Sequence, residues 1–224
     1  EGIKQRDFIK SFIDLYKLMP TLDPNNPNKI IYKTRNKFYD DGEQKNWTDK
    51  LIKEKLQEIE FINDKQKKQI DLTYSEGDDL WNSQYQNAFN KTFGRYLFNF
   101  DNEYNEGRED YKLIFAPTPI ISSNDNRNLF IPAIGSMYSG AEERKIRMLL
   151  DNGVRTDANF QFLDDDGLGS TSETEYPFAG HWDDPLKPTF DLNFCESEYY
   201  FYDGYQTTNN TITRLFHGRY LGQL

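Results

Sequence analysis

The chain has one cysteine, Cys195, and two histidines, His181 and His217, among 224 residues. A single thiol excludes an internal disulfide framework and any zinc site built on several cysteines. A histidine-based metal site would need both imidazoles plus Cys195 or a carboxylate, and the plainer reading of the two histidines is packing or hydrogen bonding. No apolar run approaches the ~18 residues that cross a bilayer, so no membrane segment is expected. Lysine and arginine nowhere form a dense patch; the nearest approach, Lys65 to Lys68, is interrupted by Gln66. With a net charge of −10 and a pI near 4.8, sequence-specific nucleic-acid binding is disfavoured. There is no Gly-x-Ser-x-Gly elbow, since Ser136 in Gly135-Ser136-Met137 lacks the second glycine, and no phosphate-cradling Gly-rich loop. The expectation is a chain that is not an enzyme, with no catalytic residue, no metal and no cofactor.

What the chain has in quantity is aromatic side chains. Apolar residues make up only 36% and the mean hydropathy is −0.88, yet 17 Phe and 15 Tyr are present. Disordered chains lack such residues, and each aromatic buries roughly 150–250 Å². The core is therefore expected to be aromatic rather than aliphatic. The start, Glu1-Gly2-Ile3-Lys4, carries neither an initiator Met nor a signal-like apolar stretch, and the last residues read as an unfinished helix. The sequence thus reads as a piece of a longer chain.

Periodicity places the elements. Phe8, Phe12, Tyr16 and Met19, with Ile9 and Ile13 beside them, predict a first helix ended by Pro20. Asp23-Pro24-Asn25-Asn26-Pro27-Asn28 reads as a loop, Lys29 to Arg35 as a strand, and Tyr39-Asp40-Asp41-Gly42 as a turn. Gln57 to Ile62 and Ile70 to Tyr74 alternate with period two, as half-buried strands that would pair antiparallel. A second helix, capped by Asp78 or Asp79, carries Trp81, Tyr85, Phe89 and Phe93 at i+4 spacing before Gly94. Beyond Arg95 the expected strands hold Tyr96/Phe98/Phe100, Tyr111/Leu113/Phe115, Lys145 to Leu150, Phe160/Phe162 and Phe190/Leu192/Phe194. A last helix starts near Asn210-Thr211 and runs through Ile212, Leu215, Phe216 and Tyr220. The fold class expected is α+β and strand-dominated, with antiparallel barrel or sandwich elements. Two prolines in Ala116-Pro117-Thr118-Pro119 put a boundary between a helix-plus-strands domain, 1–116, and a β-rich domain ending in a helix, 117–224.

Acidic pairs abound: Asp40/Asp41, Asp164/Asp165/Asp166, Asp183/Asp184 and Glu196/Glu198. Glycosidase chemistry needs two carboxyls facing each other at about 5–9.5 Å, and 37 acidic residues make adjacent pairs inevitable. The Asp164-to-Asp166 stretch has oxygens for Ca²⁺ but not the alternating spacing of an EF-hand loop, so a solvated acidic loop competes with a calcium site. The run Glu198-Tyr199-Tyr200-Phe201-Tyr202-Asp203-Gly204-Tyr205 is apolar on both faces of a strand, which implies burial or a subunit contact, with a sugar-stacking platform as the rival reading.

Several segments, in order, are Asp7-Phe8-Ile9-Lys10-Ser11, Asp23-Pro24-Asn25-Asn26-Pro27, Phe38-Tyr39-Asp40-Asp41-Gly42 and Trp47-Thr48-Asp49-Lys50-Leu51. Phe115-Ala116-Pro117-Thr118-Pro119, Ile131-Pro132-Ala133-Ile134 and Tyr176-Pro177-Phe178-Ala179-Gly180-His181 follow. Pro188-Thr189-Phe190-Asp191-Leu192-Asn193-Phe194 and Tyr202-Asp203-Gly204 close the series. Together they resemble a structural protein of tailed phages of Bacteroidetes, including crAss-like phages, of the kind placed in the tail or its hub. The resemblance implies a tail-hub-like architecture with β-barrels ringing the DNA channel, a virion location, and no catalytic or cofactor residues.

The residues themselves point the same way, because a ring subunit needs large desolvated contacts and aromatics supply most of their free energy. An acidic lumen would let DNA pass without sticking; a basic inner wall in a solved assembly would end that idea. The expected partners are copies of the chain in a ring and other phage tail proteins. Phe12, Trp81, Tyr85, Phe89, Phe190, Phe194, Tyr200 and Tyr202 are expected at core or interface positions. Two rival functions are a surface glycan-binding module and a tail-borne glycoside hydrolase.

Overall fold

The computed structural model describes residues 2–50, 52, 66–77, 79–101, 103–122, 130–134, 145–163, 170–184, 186–196 and 207–222. The expected strand Gln57–Ile62, Ser136, the Asp164–Asp166 loop and the run holding Tyr200 and Tyr202 lie outside these residues.

Helix α1 spans Gln5–Tyr16 and buries Ser11 and Leu15. It stops sooner than Pro20 would dictate: Lys17 turns left-handed (φ 47°), and its N–H returns to the Ile13 carbonyl. Pro20 sits instead in strand β1 (Leu18–Asp23), which pairs antiparallel with β2 (Asn26–Thr34). The expected six-residue loop shrinks to a tight turn in which Asp23 Oδ1 accepts the Asn25 N–H at 2.9 Å. A two-stranded ribbon leaves each strand one unpaired edge, where the N–H that proline lacks is not needed. Helix α2 (Arg35–Asp40) follows, its first turn capped by the Thr34 hydroxyl.

Strand β3 (Gln69–Thr73) is the middle of a three-stranded sheet, antiparallel to β4 (Tyr96–Asn99) and parallel to β5 (Arg108–Lys112). Ile70 and Leu72 enter the main hydrophobic cluster. Asp71, pointing to the opposite face, is as buried as they are. The half-buried strand expected from alternation is thus covered on both sides, because Arg95 Nε at 2.8 Å and the Arg108 guanidinium close over the Asp71 carboxylate. A buried carboxylate is tolerable only with such partners.

Helix α3 (Leu80–Phe89) joins β3 to β4; the Asp79 carboxylate accepts the backbone N–H groups of Trp81 and Asn82, both at 3.2 Å. The helix ends at Asn90 (φ 53°), four residues before the expected Gly94. Gly94 (φ +75°) serves a packing contact instead. A Cβ there would meet Asn193 Oδ1 at 2.4 Å, so only glycine permits this approach.

Strands β6 (Ile120–Ser122) and β7 (Phe130–Pro132) form a short hairpin, and β8 (Leu150–Leu163) and β9 (Ser170–Gly180) a long antiparallel ribbon. Lys145 to Leu149, expected as strand, contributes one bridge, Arg147 to Ala116. The chain returns through a π-helical turn, Thr213–His217, into α4 (Gly218–Leu221). The fold is mixed α and β with more strand than helix. Among the described residues the sheets hold two or three strands and none closes into the expected barrel.

Leu15, the β3 residues, Tyr74, Phe115, Phe194, Ile212 and Leu221 share one buried cluster, which draws on both sides of the Ala116/Pro117 junction. Tyr176, Phe178 and Trp182 form a second cluster with Ile120 and Phe130. Burying such side chains stabilises by roughly 1.5–3 kcal/mol each. No helix among the described residues is long and apolar enough to cross a membrane.

Candidate functional site

Two places merit a functional reading, a buried polar knot and an exposed apolar ribbon. The knot centres on Asp191. Its Oδ1 accepts the Asn193 backbone N–H at 2.8 Å and lies 2.9 Å from His181 Nδ1, while Oδ2 accepts the Trp182 indole N–H at 3.0 Å. The Asn193 side-chain amide lies 3.0 Å from the same His181 nitrogen. Backbone bonds extend the knot: Leu192 donates to the His181 carbonyl, Asp191 to Asn210, Ile212 to Asn193 and Phe194 to Gly94. The Tyr74 hydroxyl donates to the Leu192 carbonyl at 2.6 Å. This is why Phe190, Leu192 and Phe194 alternate without forming the expected strand. Asp191 gathers three chain segments, and the apolar residues beside it drop into the cluster from an irregular backbone.

An Asp–His pair is also the orienting half of a general base. Here the imidazole is only 3% exposed, Phe93 and Trp182 cover its ring, and Nε2 is buried without a hydrogen-bond partner. Among the described residues no hydroxyl or thiol bonds that nitrogen, so the geometry ties segments together and presents no activated nucleophile. His217 plays a similar part. Fully buried, it donates from Nε2 to the Leu15 carbonyl at 2.9 Å and stands edge-on to Phe194, joining the C-terminal turn to α1. Burial lowers its pKa to about 4, which keeps the ring neutral.

The Asp183/Asp184 pair is likewise occupied by structure. Asp183 accepts the N–H groups of Thr189 and Phe190, and Asp184 those of Leu186 and Lys187. Asp79 holds Arg147 as well as its cap. Burial draws the Asp79 carboxyl upward, but the Asn82 and Arg147 hydrogen bonds outweigh it and hold the pKa below the usual carboxylate value. Among the described residues no group of three or more His, Cys, Asp or Glu is placed to hold a metal ion.

The ribbon β1–β2 differs. Pro20 is opposite Tyr32 and Leu22 opposite Ile30, and residues two apart share a face, so these four lie together. All four are exposed, Leu22 at 68%. On α1, Phe8 and Ile9 are exposed too. Local pattern gives no sign of this surface, because Pro20 reads as a helix stop and Asp23 to Asn28 as a loop rather than the turn of a hairpin.

The expected core or interface residues divide. Phe194 is buried, with half-buried Phe12 and Phe190 packed on the same cluster. Phe12 meets Phe8, Tyr16 and Phe115. Tyr85 is buried and touches Phe89 and Phe93, while Trp81 is half-buried in the first turn of α3. Phe89 is 46% exposed, because the helix ends there and Phe93 turns inward beyond it. Tyr200 and Tyr202 lie outside the described residues. No family model matches the chain, and neither a curated protein nor a solved structure does.

Proposed function

We propose that the chain is a noncatalytic structural subunit of a phage tail, associating with copies of itself in a ring or hub around the DNA channel and linking the tail to host-attachment parts. The observation that carries the self-associating role is the β1–β2 ribbon, whose Pro20, Leu22, Ile30 and Tyr32 form a contiguous apolar face open to solvent. Exposed apolar patches of this kind mark association surfaces. His181, His217 and the Asp183/Asp184 pair, groups that could serve an enzyme, are committed to the Asp191 knot, the Leu15 carbonyl and a turn. The phage-tail assignment draws on the series of segments from Asp7 to Gly204 that resembles such proteins. The net charge of −10 suits a subunit beside passing DNA.

Mass photometry and electron microscopy of the purified chain test the reading. Cyclic assemblies around a central opening are the expected result, with the same copies found in tails of intact particles. A compact monomer that turns over a polysaccharide or peptidoglycan substrate would sink it.

A further inference from the structure

We propose that Asn152, in the first bulge of β8, is a site of self-modification: the Gly153 nitrogen displaces its side-chain amide, and the aspartate or isoaspartate that results releases β8 from Trp182.

Asn152-Gly153 is the one Asn-Gly step in the chain. Glycine has no side chain to hinder its own nitrogen, so this step closes a five-membered ring with the asparagine more easily than any other. In a folded strand the limit is what else holds that nitrogen, and a ladder bond to the next strand would hold it. At Asn152 the ladder is interrupted. Asp151 lies opposite Ala179 and Val154 opposite Pro177, so Asn152 and Gly153 together face Phe178 alone, and the register gives neither of them a partner. The Gly153 N–H turns instead to the Asp151 carboxylate at 3.1 Å, with φ +70°. Gly153 is exposed, and a Cβ there would meet nothing within 4 Å.

The Asp151 carboxylate is placed to take the Gly153 proton as the nitrogen bonds to Asn152 Cγ. The Cγ–Nδ2 bond then breaks, and the side-chain nitrogen takes up the proton and leaves as ammonia. Water opens the succinimide at either carbonyl, giving aspartate by one route and isoaspartate, with an extra backbone carbon, by the other. The sum is one water consumed and one ammonia released, with nothing oxidised or reduced.

The amide that is lost has a structural task. Asn152 Nδ2 donates to the Trp182 carbonyl at 2.7 Å, and the Trp182 indole is bound into the Asp191 knot. This bond and the one from Gly153 to Asp151 are side-chain contacts, so the reaction gives up both without breaking a sheet ladder. A carboxylate cannot donate. The product therefore sets oxygen against oxygen beside the buried Trp182 and adds a negative charge there. The start of β8 loses its tie to the knot in a one-way step, and copies of the chain come to differ by age.

The test incubates the full chain in mildly alkaline buffer, folded and in parallel in urea, and weighs the tryptic peptide Met148–Arg155. In the folded chain the peptide should gain about one dalton, as aspartate and isoaspartate, ahead of every other asparagine. Asp151→Ala should slow the gain severalfold; an unchanged rate overturns the carboxylate as the base. A peptide that keeps its mass in the folded chain and gains it in urea means that the fold protects Asn152, and overturns the site itself. Asn152→Asp should lower the urea midpoint of unfolding more than Asn152→Ala, which loses the donor without adding a charge. Equal midpoints overturn the release from Trp182.

Discussion

The main core and the β1–β2 ribbon are built from similar residues and end in opposite states. In β3, Ile70, Asp71 and Leu72 are all buried, even the carboxylate, because α1, the C-terminal turn and two arginines cover both faces. In β2, Ile30 and Tyr32 are exposed although the strand is longer and also carries β-branched residues, Ile30, Ile31 and Thr34. Alternation therefore tells which residues share a face, while the number of layers stacked on it decides whether that face is dry. A ribbon of two strands with one side bare is a layer that still lacks its cover.

Three changes bear on this contrast. The largest effect is expected from Phe194→Ala. Phe194 is buried against Tyr74 and His217, so the substitution should cost about 3–5 kcal/mol in urea unfolding. A loss below about 1 kcal/mol would mean the cluster collapses around the gap and is no rigid core.

Acid comes next. His217 has a pKa lowered to about 4 by burial, whereas the unfolded chain titrates it near 6.5. Between these values the unfolded state binds more protons, so stability is full above 6.5 and falls by roughly 2–3 kcal/mol as the pH drops to 4. His217→Gln retains a donor for the Leu15 carbonyl, and its unfolding free energy should lose that part of the slope. An unchanged slope would place the acid sensitivity in other groups.

The smallest effect on the monomer is expected from Ile30→Ser. An exposed ribbon position should change unfolding free energy by no more than about 0.5 kcal/mol, while self-association weakens. A large destabilisation would show that the ribbon face is covered within the chain.

Much of the architecture is legible in the residues. The Asp79 cap, the aromatic start of α3 and the strands at Tyr96 and Ile70 follow from local pattern alone. The failures share a cause: a distant partner outweighs local periodicity. Pro20 is compatible with a strand because β1 has a free edge. Phe190 to Phe194 is irregular because Asp191 bonds His181, Trp182 and Asn193. Strand β9 has Tyr176 and Phe178 in clean alternation, but its remaining residues are mostly polar or small and its pairing with β8 is what makes it a strand. Of the residues expected at core or interface positions, Tyr85 and Phe194, both buried, can be read from spacing. The ribbon face cannot, since it exists only once β1 and β2 are paired.

The long β8–β9 ribbon is interrupted by two register shifts, between Asp151 and Val154 and between Thr156 and Phe160. Each forces a local bend and breaks the regular row of outward amides and carbonyls. A straight strand from a neighbour therefore finds no continuous row to zip against, which protects the arm from fibril-like stacking. Molecules crowded side by side would have to recognise one another through side chains instead of through a shared ladder of backbone hydrogen bonds.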